Sequence, residues 1–386
     1  MRLLFYAHSS TIYGANVSLV NLISGIMRHH PETFVHVIIP SEEPIGSLLK
    51  KNKIGYSVIP HLYWSYNFEV AEKHRRSSNS VFKIWYLKNK WEKKIKNLLY
   101  RRRHLAMVKE LNPDLIYVNS SLAPMGAMMA KKLNVPFLWH HRETIEEPVY
   151  GFMLEDRQQF SHYFRHAALH IYTSQFLHEF YKKEFGTHRF KIAYNGVAFK
   201  DENLGFSRPD FVKIKFGVVG RINSQKNQKE VLEIFRELLK DYKQKMELIL
   251  IGEGEKLYLE KIIPKNTGVN YLGFLPKNEI YQHFDFLIVN SKNEAFGRTV
   301  AEANAAGIPV LGRFSGAFPE IIVPGKNGYL YEDAKGLKKA ILDLAEGITP
   351  ATYASLSSSS REHFEENFTI EQYSEAIWTA LKKVVS

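Results

Sequence analysis

At 386 residues, 45% hydrophobic and 24% charged, the chain is long enough for two α/β domains with separate cores and has the make-up of a globular protein. It has no cysteine, which excludes disulfides, thiolate metal sites and cysteine nucleophiles. The formal charge of +12 is concentrated, since Lys73 to Arg103 hold twelve Lys and Arg against one acid, Glu92, a net of +11; that element is expected to meet something anionic.

The start, MRLLFYAHSS, has too short an apolar run for a signal peptide, and no stretch reaches transmembrane length. A soluble or peripheral protein of the cytoplasm is expected. Strands are predicted at Leu3 to Ala7, Val35 to Ile39, Tyr56 to Ile59, Leu115 to Val118, Pro136 to His140 and His170 to Thr173. Helices are predicted at Asn16 to Met27, Pro44 to Lys50, Val81 to Leu111, Pro124 to Leu133 and Leu154 to His166. This alternation is that of a doubly wound sheet. Polar Lys200 to Pro209 reads as a linker. A second alternation follows, with strands at Val212 to Val219, Met246 to Ile251, Asn270 to Gly273, Phe286 to Val289 and Pro309 to Leu311. The serine run Ser357 to Ser360 is expected where one helix meets the next. Thr369 to Val384 sets Tyr373, Ile377, Ala380, Leu381 and Val384 on one stripe of a terminal helix.

Within Val81 to Leu111, Ile84, Leu87, Trp91, Ile95 and Leu98 recur at helical spacing, with Lys88, Lys90, Lys93, Lys94 and Lys96 around them. This is an amphipathic helix with a cationic rim. A domain helix that buries its stripe in the N-terminal core explains the stripe but not the concentration of charge; a membrane-surface element explains both. Nucleic acid is not the expected partner, because no recognition module accompanies the patch.

The segment NSKNEAFGRTVAEANAAGIPVLG, Asn290 to Gly312, places Glu294 and Glu302 eight residues apart across a strand-to-helix turn. Gly297 opens the helix, and Gly307 and Pro309 end it. Glu294 then belongs to the loop at the carboxyl end of the strand and Glu302 to the second helical turn, both facing the crevice where open α/β sheets bind ligands. Free N–H groups from Phe296 to Thr299 suit a phosphate. One carboxylate can grip sugar hydroxyls and the other a ribose. After the strand ending at Val219, Gly220 permits a tight turn, and Arg221 and Lys226 can close on one diphosphate. The first strand-to-helix turn, Ala7 to Asn16, offers Gly14. His140, His141, Arg142 and Glu143 follow a strand in a row and could accept, donate or orient protons. Gly252-Glu-Gly254 reads as a structural turn, and Phe274-Leu275 precedes a helix. No D-x-D pair and no metal-ligand spacing appears, so no metal or other cofactor is expected.

The Asn290 to Gly312 string resembles the E-x7-E region of retaining glycosyltransferase family 4 in Phe296-Gly297, Glu302-Ala303, Gly307 and Pro309-Val310. Gly220-Arg221 to Lys226 resembles the family's G-R-x-x-x-x-K-G clamp, with Asn227 in place of the usual glycine. The likeness covers most of the chain and is weakest from Ile45 to Leu111. It implies a GT-B fold, two Rossmann-like domains facing across a cleft: residues 1–200 for the acceptor, with a basic insertion at 73–111, and 201–368 for the donor. Residues 369–386 would form a helix crossing back to the first domain. The implied substrate is a nucleotide diphosphate sugar, UDP-linked, held by Gly14, Gly220, Asn290, Ala295, Phe296, Gly297, Thr299, Glu302, Phe274 and Leu275. Arg221 and Lys226 would take the diphosphate and Glu294 the donor sugar, without a metal. Either His141 or Arg142 would stand beside that sugar, depending on how Val135-Pro136 aligns. Trp91 with Lys90, Lys93, Lys94 and Lys96 would meet an anionic membrane surface and a saccharide or lipid-linked acceptor for a cell-surface polymer. The implied reaction is transfer with retention, on one face, the departing phosphate oxygen helping to take the acceptor proton. A nucleotide-sugar epimerase or phosphorylase of like fold, or a non-catalytic nucleotide-sugar-binding protein, are the other classes that fit.

Overall fold

A computed structural model describes residues 1–63, 65–67, 78–145, 150–152, 156–199, 211–263 and 268–385. The predicted linker Lys200 to Pro209, the start of the helix predicted from Leu154, and Lys73, Arg75 and Arg76 of the basic window lie outside them. The chain forms two compact units, Met1–Gly196 with Ile370–Ser386, and Val197–Thr369.

In the first unit the strands are β1 (Arg2–Tyr6), β2 (Phe34–Ile39), β3 (Gly55–Val58), β4 (Ser65–Asn67), β5 (Leu115–Asn119), β6 (Phe137–His141), β7 (Tyr150–Phe152), β8 (Leu169–Tyr172) and β9 (Phe190–Ile192). The helices are α1 (Gly14–His29), α2 (Ile45–Lys51), α3 (Asn79–Leu111), α4 (Met125–Leu133), α5 (Asp156–Phe164) and α6 (Gln175–Phe185). The main sheet is parallel, in the order β3-β2-β1-β5-β6-β8-β9, while β4 and β7 form a separate antiparallel pair. Strands covered on both faces must be apolar throughout, and β5 and β6 are buried at every residue. The order reverses between β1 and β5, so the loops after β1, β5 and β6 meet at one switch point.

The second unit has β10 (Ile214–Val219), β11 (Met246–Ile251), β12 (Val269–Gly273), β13 (Phe286–Val289), β14 (Val310–Arg313) and β15 (Gly328–Tyr331). Its helices are α7 (Gln228–Tyr242), α8 (Lys256–Ile262), α9 (Lys277–Ile280), α10 (Arg298–Ala305), α11 (Phe318–Ile321), α12 (Ala334–Gly347) and α13 (Pro350–Asn367). This sheet is also parallel, ordered β12-β11-β10-β13-β14-β15, with its switch point between β10 and β13. The serine run corrects one expectation: Ser357 to Ser360 lie inside α13, not at a junction. The buried Ser360 hydroxyl donates to the Leu356 carbonyl one turn back (2.8 Å), which satisfies it without breaking the helix.

The chain then returns to the first unit as α14 (Ile370–Val385), which packs on α1. Contact is close enough that a Cβ on Gly25 would lie 2.5 Å from Ser374 Oγ. Arg28 pairs with Glu371, and the His30 ring stacks on Trp378 at 4.1 Å. The predicted stripe is buried at Tyr373, Ile377, Ala380 and Leu381. Two parallel α/β sheets with a returning terminal helix are the architecture the resemblance implied.

Helix α3 is turned opposite to a core helix. Its buried residues are His104 and Val108, whereas Ile84 (68% exposed), Leu87, Trp91 (58%), Ile95 and Leu98 face solvent. The docked face is polar: Asn97 bonds the Leu62 N–H (2.8 Å) and carbonyl (3.1 Å), and buried His104 meets the Tyr6 hydroxyl and the Pro60 carbonyl. Lys90, Lys93 and Lys94 are half-buried on that inner side, so they do not rim the apolar stripe as expected; Lys96 does, paired with Glu92. Among the described residues, no helix is long and apolar enough to cross a membrane.

Candidate active site

At the switch point of the second unit, β10 is followed by Gly220 with φ +131°, and a Cβ on neighbouring Gly252 would lie 1.9 Å from the Gly220 carbonyl oxygen. The two turns therefore stack backbone on backbone, which only glycine permits. A short 3-10 turn, Ser224–Lys226, follows, capped by the Asn223 side chain on the Lys226 N–H (3.1 Å). Asn227 takes φ +51°. Asparagine is among the few side chains that enter this left-handed region at low cost, so the departure from the family's glycine preserves the turn's shape.

That turn aims Lys226 at Glu294, with Nζ 2.5 Å from Oε2. Glu294 sits in the loop after β13, and its backbone is fixed from behind. Gly316, at φ +59°, leaves room that a Cβ would fill, 2.5 Å from the Glu294 nitrogen, and the Ala317 N–H donates to the Glu294 carbonyl (2.8 Å). Burial pushes the Glu294 carboxyl up, but the Lys226 charge and hydrogen bond outweigh it and leave the group below its usual value. Beneath the turn, buried Asn290 donates to Asn227 O (3.0 Å) and Glu230 (2.9 Å) and accepts from Tyr331 (3.0 Å) and Arg313 (3.2 Å). Asn290 thus ties the turn to β13 and is a positioning residue in this arrangement. Arg221 is exposed at the same strand end.

Gly297, at φ +88°, starts α10; a Cβ there would meet the Phe318 ring at 2.8 Å. Phe296 is buried, and Ala295 and Thr299 are half-buried on either side of it. Nearly buried Glu302 accepts from Arg298 Nε (2.9 Å), Lys277 Nζ (3.1 Å) and the Tyr281 hydroxyl (2.9 Å). Burial raises its carboxyl, while Arg298 and then Lys277 more than reverse this, so it stays ionised. Lys277 also donates to Ala198 O (2.6 Å). Phe274 presents its ring to solvent at the end of β12, and Leu275 is half-buried beside it. Sequence reasoning missed Lys277, Tyr281, Glu230 and Arg313; the spacing of four between Arg298 and Glu302 was a signal that passed unused.

At the switch point of the first unit, His141 is wholly buried. Its Nδ1 meets Ser121 Oγ (2.6 Å), its Nε2 meets His170 Nδ1 (2.9 Å), and its ring packs on Trp139, Tyr172 and Tyr181. It packs as a core histidine. Arg142 is knitted into the fold through Asn119 Oδ1 (2.6 Å), Asn195 Oδ1 (2.5 Å) and the Tyr373 hydroxyl of α14 (2.8 Å). Half-buried Glu143 accepts from Ser120 Oγ (2.8 Å) and the Ser121 N–H (2.7 Å), and burial raises its carboxyl. Gly14 begins α1, and Asn16 staples the preceding loop through Ser9 O and Thr11 O (2.8 Å each). His8 follows β1 with a buried Nδ1 that has no hydrogen-bond partner among the described residues. Burial, then the charges of Arg142 and His61, hold it down to about 3. Among the described residues, no group of three or more His, Asp or Glu is placed to hold a metal ion.

Residues 202–363 match the family model "Glycosyl transferases group 1". The alpha-monoglucosyldiacylglycerol synthase of Acholeplasma laidlawii is 22% identical over 378 residues, 88% of this chain and 86% of that one. The Anabaena protein HepE, solved with UDP and glucose, superposes with a TM-score of 0.76 at 19% identity over 99% of each chain. A lipopolysaccharide outer core galactosyltransferase, WaaB, gives 0.70 at 16% identity, also over 99% of each. Residues 202–363 thus match the glycosyl transferases group 1 family, and the chain as a whole has the GT-B fold of these solved structures.

Proposed function

We propose that this protein transfers a sugar, with retention, from a nucleotide diphosphate sugar to a lipid-linked saccharide or glycolipid acceptor at a membrane surface. The observation that carries the reading is the juxtaposition of Lys226 and Glu294 beside Arg221 at the switch point of the second unit. Two cations for a diphosphate and one ionised carboxylate for sugar hydroxyls are what departure of a nucleotide requires. A UDP donor is supported by HepE, solved with UDP and glucose. Glu302 would hold the ribose and the exposed Phe274 ring would lie against the base. The lipid acceptor is supported by the glycolipid synthase among the relatives and by the outward apolar stripe of α3. With Arg221 and Lys226 supplying positive charge, transfer would proceed without a divalent cation and on the inner, cytoplasmic face of the membrane.

The test is transfer from UDP-sugars to a glycolipid acceptor, with EDTA present and products resolved by NMR. Wild type should give an α-linked product, and Arg221→Ala with Lys226→Ala should lower turnover by about two to three powers of ten. Near-normal transfer by the double variant would remove the diphosphate assignment. Epimerised or phosphorolysed donor without transfer would favour the epimerase or phosphorylase reading, and binding with neither would leave a non-catalytic protein.

A further inference from the structure

We propose that the groove between β9 and α14 binds the polyphosphate group of a small molecule, at a site separate from the switch point of either unit. The groove holds about 480 Å³, within the roughly 300 to 1,000 Å³ of sites that enclose small ligands. One wall is the edge of the main sheet, since β9 stands last in its strand order. Neighbouring residues of a strand point to opposite faces. The Phe190 ring stacks on His178 of α6 at 3.7 Å, so Arg189 and Lys191 on either side of it turn to the other face, where α14 lies. Thr379, Ala380 and Lys383 of α14 form the second wall.

Three cations thus line one groove. Arg189 donates to the Lys383 carbonyl (3.3 Å), which ties the two walls together, and a guanidinium has further N–H groups to offer. Among the described residues the lining has a single acid, Glu375, whose Oε1 already meets His30 Nε2 (2.8 Å). No described acid pairs with Arg189, Lys191 or Lys383. Guanidinium matches phosphate with paired N–H groups, and lysines act as point charges around it. Arg189 and Lys191 stand roughly 7 Å apart along the strand, a spacing that linked phosphates bridge better than one alone. The groove lies toward the amino ends of β8 and β9, where Leu169 and Arg189 line it, whereas the switch point is at the carboxyl ends. Along α14, Tyr373 at the Arg142 end and Lys383 in the groove are about 15 Å apart. A polyphosphate held here would be neither donor nor acceptor of the proposed transfer.

The experiment titrates the full-length chain by calorimetry at physiological salt with inorganic pyrophosphate, ADP and adenosine. All proteins carry Arg221→Ala and Lys226→Ala, so the cations of the second unit's switch point do not contribute. A groove set (Arg189→Gln, Lys191→Gln, Lys383→Gln) and a control set (Lys51→Gln, Lys132→Gln, Lys183→Gln) remove equal charge from the first unit, the latter at exposed lysines outside the groove. The control set should bind pyrophosphate like its parent, and the groove set at least tenfold more weakly. ADP binding as tightly as pyrophosphate would identify the free anion as sufficient; tighter ADP, lost in the groove set, would identify a nucleotide. Adenosine binding as tightly as ADP overturns the polyphosphate assignment, and equal loss of pyrophosphate in the two sets overturns the site in favour of general charge. If the groove set fails to fold, Lys191→Gln alone should still weaken binding about threefold, and unchanged affinity overturns the proposal. Self-association of the groove set, with neither ADP nor pyrophosphate bound by the parent, would mean that the cations only guard the sheet edge against pairing. No sugar donor is present, so failure here is distinct from failure of the transfer reading.

Discussion

The two units build their switch points from the same kind of parallel sheet but hold the loops with different chemistry. In the second, ion pairs do it: Lys226 with Glu294, Arg298 and Lys277 with Glu302, and Arg313 with Glu230. In the first, imidazoles and hydroxyls do most of it, with Arg142 inserted among three neutral oxygens and Glu143 accepting from Ser120 and Ser121. Ion pairs suit a site that must greet a charged ligand, since the cations are already in place. Neutral networks make a rigid platform that does not compete for such a ligand. The difference makes the units respond differently to acid, to backbone changes and to surfaces.

Acid should separate them most. Burial, then the neighbouring His61, holds His104 down to about 3, and burial, then His188, does the same to His170. Unfolded imidazole titrates near 6.5. Below that pH the unfolded chain takes up protons that the folded unit refuses, so this stability is complete above about pH 6.5 and is lost as pH falls toward 3. The slope is about 1.4 kcal/mol per pH unit for each histidine, and the two together reach roughly 3 kcal/mol by pH 5.5. In the second unit Glu294 and Glu302 lie below the ordinary 4.5, so their contribution stays intact above that value and fades only as pH falls through the lowered ones. Hydrogen exchange at pH 7.5 and 5.5, corrected for intrinsic rates, should show core amides of the first unit losing about a hundredfold in protection while those of the second hold. Parallel loss in both would end the distinction.

A backbone change should next distinguish the second unit's site from its scaffold. Gly316→Ala puts a Cβ against the Glu294 nitrogen at a positive φ, so the Glu294 loop must shift. Misplacing a catalytic group by about 1 Å can cost roughly a hundredfold in rate. Turnover should fall by that order with the unit still folded. Gly347→Ala, where a Cβ meets nothing within 4 Å, should leave turnover unchanged. Equal effects in both variants would mean that the Ser315-Gly316 loop does not position Glu294.

What the sequence disclosed follows the range of the interactions. The Glu294 loop, Gly297 and the Lys226 turn are local devices, each set by a few neighbouring residues, and they stand where their spacing placed them. Strands β5, β11 and β13 are unbroken apolar runs and were legible for the same reason. β9 and β15 were missed because they are short, with β9 half exposed, and β15 bears buried residues only at its two ends. Arg142 was illegible in another way. Its partners lie 23, 53 and 231 residues off, so its role exists only once β5, β6 and α14 have come together. His141 stands in a row of polar residues at a strand end, a pattern that suggests a crevice, and its packing against the stacked Tyr172 ring and the tilted Tyr181 ring was not legible there. Helix α3 reversed the usual inference, since its docking face is the polar one and amphipathic periodicity carries no sign for which side meets the protein.

That reversal yields the smallest expected effect. If the first unit alone meets the membrane, single charges on the outer face of α3 should matter and equivalent charges elsewhere should not. A lysine near an anionic leaflet contributes about 1 kcal/mol, screened over a Debye length of about 8 Å at physiological salt. Lys88→Gln should therefore weaken co-sedimentation with anionic vesicles about fivefold at low salt, with the difference shrinking as salt rises. Lys261→Gln, an exposed lysine of α8 in the second unit, should leave binding unchanged. Trp91→Ser removes the largest exposed ring of the stripe and should weaken binding on anionic vesicles at any salt, because apolar insertion is not screened. Equal effects of Lys88→Gln and Lys261→Gln would reduce the attraction to net charge. Reversible dimerisation in vesicle-free buffer, abolished by Trp91→Ser, would instead assign the stripe to a second copy of the chain.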